Sequence, residues 1–283
     1  DFMDVPDMRN IFCCRSDSPI EYYRGVAMDY VSLSYVLAFI YLINFVILYF
    51  LSKENDDIPG LRYWFISATI GVFAFLSVFL KPWIGDYTAF LNNGLILTGF
   101  MFTQEGILQF RGWGTLKKRL IVWIPLVILA FVMSFINTSN ATNRYLMYDV
   151  FLSGLLFTFP VILLYRQKSL LKIYILPSVF AIFLALVHLV RWYFAYTGVI
   201  SSYDGVHPVV AYAYFAGIMF SITWVISILL IIQNKYYDQL HYIASHDVLT
   251  SCLNRRSFET QVPKIFNDIS DNHILSIIDI NRF

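Results

Sequence analysis

The 283 residues are 58% hydrophobic and only 14% charged, with a formal net charge of +1. Soluble domains carry about 25% charged residues, so most of this chain is not a soluble domain. The balanced charge, with no Lys/Arg stripe interleaved with aromatics, excludes a nucleic-acid partner.

Residues 1–30 form a short polar segment containing Arg9, Arg15 and Arg24. Its adjacent Cys13 and Cys14 are poorly placed for a disulfide with each other. Seven runs then have about the 20 mostly apolar residues that a bilayer crossing needs: 31–51, 63–80, 87–110, 119–136, 145–165, 173–196 and 207–232. Backbone polar groups in lipid must be satisfied within the segment, so each run is expected to be a helix. The run 87–110 is the most polar, because Asn92, Asn93, Gln104 and Glu105 interrupt it.

Loop charge sets the expected orientation. The loops after the first, third and fifth runs, with their edges, carry Lys53, Arg62, Arg111, Lys117, Lys118, Arg119, Arg166, Lys168 and Lys172. The loops on the other side carry only Lys81 and Arg144. The first set is expected in the cytoplasm, which places the N-terminus outside and the C-terminus inside a bacterial inner membrane.

Ionisable residues inside a span mark candidate sites. Asp149 lies near the outer end of the fifth run, and His188 and Arg191 lie three residues apart, on one face of the sixth. Two readings are open. They line an outward-facing pocket for an anion or a polar ligand, periplasmic or membrane-soluble, or Asp149 and Arg191 neutralise one another inside the bundle. Gln104 and Glu105 line a water-filled cavity or sit at headgroup level. The last run contains no Lys for a retinal Schiff base, and His188 is the sole mid-span histidine, which argues against bis-histidine haem.

The seventh run continues without a helix breaker into 233–246. Leu229, Gln233, Tyr236, Leu240 and Ile243 follow the 4-3-4-3 spacing of a coiled-coil seam, and a parallel signalling helix or an amphipathic helix end both fit. Then come Asp247-Val248-Leu249-Thr250-Ser251-Cys252-Leu253-Asn254-Arg255-Arg256-Ser257-Phe258 and, after a helix-like gap, Ile274-Leu275-Ser276-Ile277-Ile278-Asp279-Ile280-Asn281-Arg282-Phe283.

The first block resembles the D-x-L-T-x-L-x-N-R-R-x-F opening of GGDEF domains, the catalytic domains of bacterial diguanylate cyclases. The second resembles their first core strand, which ends in D-[IL]-[DN]-x-F. The resemblance covers about the last forty residues. Ser251 and Cys252 stand where the family usually has Gly and Leu, and Asn281 stands where a second Asp is common.

The resemblance implies an α/β catalytic domain beginning at 247–283, after an all-α membrane bundle at 31–232 and a linker at 233–246. It implies a homodimer that joins two GTP into cyclic di-GMP, with Mg²⁺ or Mn²⁺ as cofactor. Asp279 and the backbone carbonyl of Ile280 would be metal ligands, and the backbone N–H groups of Arg282 and Phe283 would meet GTP phosphates. The GG-[DE]-EF turn is expected beyond residue 283, so residues 1–283 alone are expected to be inactive. Competing readings are a sensor with a degenerate, non-catalytic domain and a transporter-like protein with a regulatory tail.

Overall fold

The computed structural model describes residues 30–113, 116–138, 140–166, 170–200, 208–247 and 249–267. Among these, nearly every residue is helical and no strand forms. Helix α1 (Tyr30–Glu54) is charge-free until Lys53. It leads through a turn at Asn55 into α2 (Leu61–Leu76), a 3-10 turn (Ser77–Leu80) and the short α3 (Lys81–Ile84). Gly85, with φ +57°, ends that segment and α4 (Tyr87–Phe110) follows. Then come α5 (Leu116–Ile136), α6 (Ala141–Leu164) and α7 (Leu171–Tyr196). Asn140 caps α6 by accepting from the Asn143 N–H at 3.0 Å, the usual role of Asn before a first turn. Helix α8 (Pro208–Ser245) opens on proline, which needs no N–H partner in the first turn. Helix α9 (Arg255–Asn267) closes the described chain.

Two compact units divide within α8, Asp1–Ser227 and Ile228–Phe283. In the first, α6 packs along α7, and α2 packs along both α1 and α4. Helix α5 touches α4 and α6 and buries little of itself. Large apolar side chains such as Phe39, Ile121, Val161 and Tyr193 face outward, as a lipid-facing surface requires.

Six helices are long and apolar enough to cross a bilayer, so the bundle is that of a multi-pass membrane protein. Six of the seven expected runs fall in that set. The run 87–110 is one continuous helix of span length, α4, but it falls outside that apolar set. Asn92, Asn93, Gln104 and Glu105 make it polar, and all four are buried within the bundle. A helix enclosed by protein can keep polar groups that a lipid-facing helix cannot.

The expected α/β part is described only as far as α9. The run 274–278, expected as a strand, lies outside the described residues, as do Asp279, Ile280, Arg282 and Phe283.

Candidate functional site

Asp149 lies eight residues from the start of α6, and His188 lies eight residues from the end of α7. Both therefore sit about 12 Å in from one end of the bundle, at 1.5 Å per residue. The antiparallel packing of α6 on α7 brings the expected residues together. His188 Nδ1 lies 2.8 Å from Asp149 Oδ1, and Arg191 Nε donates to Asp149 Oδ2 at 2.9 Å. Arg191 Nη2 makes a second contact with Asp149 Oδ1. Asp149 is 0% exposed, and His188 and Arg191 are each 6% exposed.

His188 Nδ1 also lies 3.1 Å from Arg191 Nη2, and the closer Asp149 contact sets the tautomer assigned to the ring. A nitrogen facing a carboxylate carries the proton, so Nδ1–H donates to Asp149. Nε2 is left without a hydrogen-bond partner among the described residues. The Arg191 guanidinium lies over the Tyr145 ring at 4.8 Å and near the Tyr148 ring at 5.9 Å, and the Tyr148 ring meets His188 edge-on. Two-point pairing of a guanidinium with a carboxylate leaves the cluster of Asp149 and Arg191 electrically balanced.

The two sequence readings of this region do not exclude one another. Asp149 and Arg191 neutralise one another, and the same cluster forms part of the wall of a cavity of about 80 Å³. At roughly 10–15 Å³ for each water, that is room for several waters or a small molecule. Asp149 stands behind the wall, whereas His188 and Arg191 line it. Tyr145, Tyr148, Phe75 and Phe100 supply aromatic surface, and α4 supplies Asn92 and Asn93. Asn92 Nδ2 donates to the Ala74 carbonyl at 2.7 Å, which spans from α4 to the end of α2. The Asn93 amide is 8% exposed and has no hydrogen-bond partner among the described residues.

In the sequence, Asn92 and Asn93 stand out only as interruptions of an apolar run. Their juxtaposition with His188 and Arg191 arises from packing between helices distant in sequence. A polar pair in an otherwise apolar run was the available signal.

A second polar cluster lies toward the other end of α4. Glu105 receives Arg119 Nε at 2.7 Å and Nη2 at 2.6 Å, Gln109 Nε2 at 2.8 Å and Trp123 Nε1 at 3.1 Å. Gln104 donates to the Leu155 carbonyl at 2.6 Å and to Thr158 Oγ1 at 2.5 Å. Glu105 is 3% exposed and Gln104 1% exposed. Both are thus tied into the bundle by side-chain hydrogen bonds. The four-donor Glu105 carboxylate and the two Gln104 Nε2 contacts point to a structural clamp between α4, α5 and α6.

The segment after α8 is ordered by its own polar side chains. Asp247 Oδ1 accepts from the Thr250 N–H at 3.0 Å, the Thr250 hydroxyl at 3.0 Å and the Leu249 N–H at 3.1 Å. These donors, Thr250 first, hold the Asp247 carboxyl below its ordinary range. Asn254 Oδ1 accepts from the Ser257 N–H at 3.0 Å and so caps α9, while its Nδ2 donates to the Ala244 carbonyl at 2.8 Å. Ser251 adopts φ +57°. That is the left-handed region where glycine carries no steric penalty.

Among the described residues, no group of His, Cys, Asp or Glu is placed to hold a metal ion. No family model matches the chain, and no curated protein or solved structure matches it.

Proposed function

We propose that this chain is the membrane sensor and signalling helix of a diguanylate cyclase. In this reading, occupancy of the cavity beside His188 and Arg191 controls synthesis of cyclic di-GMP from two GTP by a C-terminal GGDEF domain. The observation that carries the proposal is the continuity of α8. One unbroken helix contributes Val210, Ala213 and Gly217 to the cavity wall and ends at Ser245, two residues before the Asp247 turn. A shift or rotation imposed at the cavity passes along such a helix, whereas a loop would absorb it.

The proposal includes seven crossings, with α4 as the third, the N-terminus outside and the C-terminus in the cytoplasm, where GTP is available. The nine-to-two loop charge bias supports that orientation. It also includes a symmetric homodimer, because each of two facing domains presents a GTP to the other. Leu229, Gln233, Tyr236, Leu240 and Ile243 all lie exposed on α8 and are assigned to its seam.

Asp279 and the Ile280 carbonyl are assigned to a divalent cation. A carboxylate and a carbonyl suit the oxygen preference of Mg²⁺, which would neutralise triphosphate charge when bound. The backbone N–H groups of Arg282 and Phe283 are assigned to phosphate oxygens.

The test is to assay the intact protein for cyclic di-GMP with GTP and Mg²⁺. Asp279→Asn should lower the rate at least about 100-fold with insertion unchanged, from the usual size of such electrostatic effects. A near-normal rate in that variant would remove Asp279 from the metal site. No product from the intact wild type would overturn the cyclase reading. GTP binding retained without product would select a non-catalytic domain, a reading favoured by Ser251 and Cys252 at positions where the family has Gly and Leu.

A further inference from the structure

The cavity's polar groups specify what kind of molecule can occupy it. Its one lining cation, Arg191, is already paired at two points with Asp149. An incoming anion would therefore place a second negative charge beside the buried Asp149 carboxylate, which repels it. An incoming cation would face the guanidinium. Neither charge sign is matched by the wall.

Two hydrogen-bonding groups on the cavity wall have no partner among the described residues. The Asn93 amide has both a donor and an acceptor to give, and it is 8% exposed with no partner among the described residues. The His188 Nε2 lone pair is free because Nδ1–H serves Asp149. Both groups line the cavity, so a molecule inside it can hydrogen-bond to them. The remaining wall is mostly aromatic and aliphatic, with the Asn92 amide and the Tyr41, Tyr145, Tyr148 and Tyr214 rings among it.

We propose that this cavity binds a small neutral molecule with an amide-like edge, an N–H donor beside a carbonyl acceptor, next to a short apolar body. Asn93 pairs with the donor–acceptor edge. His188 Nε2 accepts a further N–H. The Asp149–Arg191 pair keeps the site electrically neutral and thereby excludes charged analogues. The inference rests on the sensor reading of the bundle, but binding is measured without reference to product.

The experiment uses the full-length protein in lipid nanodiscs and three probes of similar size: propionamide, propionate and propylammonium. Binding is read by ligand-observed saturation-transfer NMR and by the shift of the thermal unfolding midpoint with probe concentration. Propionamide should bind in the millimolar range, with each charged probe at least about tenfold weaker, because an unmatched polar or charged group in such a site is strongly rejected. Asn93→Leu should lose propionamide binding by about tenfold or more. Its unliganded midpoint should not fall below wild type, since the replaced amide has no partner to lose.

Equal or tighter binding of propionate or propylammonium would overturn the neutral-ligand assignment. Undiminished propionamide binding in Asn93→Leu, or no propionamide binding in wild type, would overturn the site. Propionamide binding without cyclic di-GMP synthesis supports the site and removes the cyclase reading, whereas synthesis without binding does the reverse.

Discussion

Arg191 Nε donates to Asp149 Oδ2 at 2.9 Å across the α6–α7 interface, with both side chains buried. The pair joins two helices through charges that neither could hold alone in this setting. Removing one partner leaves the other charge buried and uncompensated, which is destabilising by about 3–5 kcal/mol. Asp149→Asn and Arg191→Gln should therefore each lower unfolding stability in detergent by about that amount. The double variant should lose clearly less than the sum, because it leaves no orphaned charge. Strict additivity in this cycle would show that the two groups are not coupled.

Gly60 and Gly106 should be sensitive to any added side chain. Gly60 has φ +92°, and a Cβ there would lie 2.1 Å from the Gly106 carbonyl oxygen. A Cβ on Gly106 would lie 2.3 Å from Trp64 Nε1, which donates to the Thr103 carbonyl at 3.2 Å. Either Gly→Ala change must push α2 from α4, with an expected loss of about 1–3 kcal/mol. Gly154 has nothing within 4 Å of its Cβ position, so Gly154→Ala should be neutral or stabilising by up to about 1 kcal/mol. Thermal unfolding of the three variants tests the contrast, and equal effects at all three positions would contradict it.

The turn after α8 should respond to Ser251 and to acid. Ser251→Gly relieves a left-handed backbone conformation and should stabilise the turn by about 1 kcal/mol. The readout is slower amide hydrogen exchange across 249–254. The Asp247 carboxyl is lowered by its Thr250 and Leu249 donors, so its contribution is present at neutral pH and above the unfolded carboxylate range. It is lost as pH falls through the folded-state value. Exchange in the turn, corrected for intrinsic rates, should speed up on acidification in wild type. Asp247→Ala should abolish that acid-dependent change, and a persistent change would assign the effect elsewhere.

The proposed orientation has a direct check. Reporter fusions after residues 115 and 169 should signal cytoplasm, and a fusion after residue 140 should signal periplasm. The loop charge bias motivates this pattern. The reverse pattern would place the C-terminus away from GTP and remove the cyclase reading with it.

The position of each long helix was legible from sequence because crossing length and internal backbone pairing are local requirements. The runs 31–51, 119–136 and 173–196 lie within or coincide with Tyr30–Glu54, Leu116–Ile136 and Leu171–Tyr196 but for a residue or two. Asp149, His188 and Arg191 were also legible as candidates, since an ionisable group in an apolar run stands out without any knowledge of its neighbours. The unbroken passage of the seventh run into 233–245 followed from the absence of a helix breaker.

Packing alone decided the rest. Hydropathy reports how polar α4 is, but not that its polar groups face protein, because that depends on which helices surround it. Glu105 found Arg119 across the α4–α5 turn, and Gln104 found the Leu155 carbonyl on α6. The cavity is likewise a tertiary object, joining Asn93 of α4 to His188 and Arg191 of α7, residues nearly one hundred positions apart in the chain. A sequence records which side chains are available at each depth. Only the approach of helices to one another determines which hydrogen-bonding groups pair with protein and which, like the Asn93 amide, line a cavity.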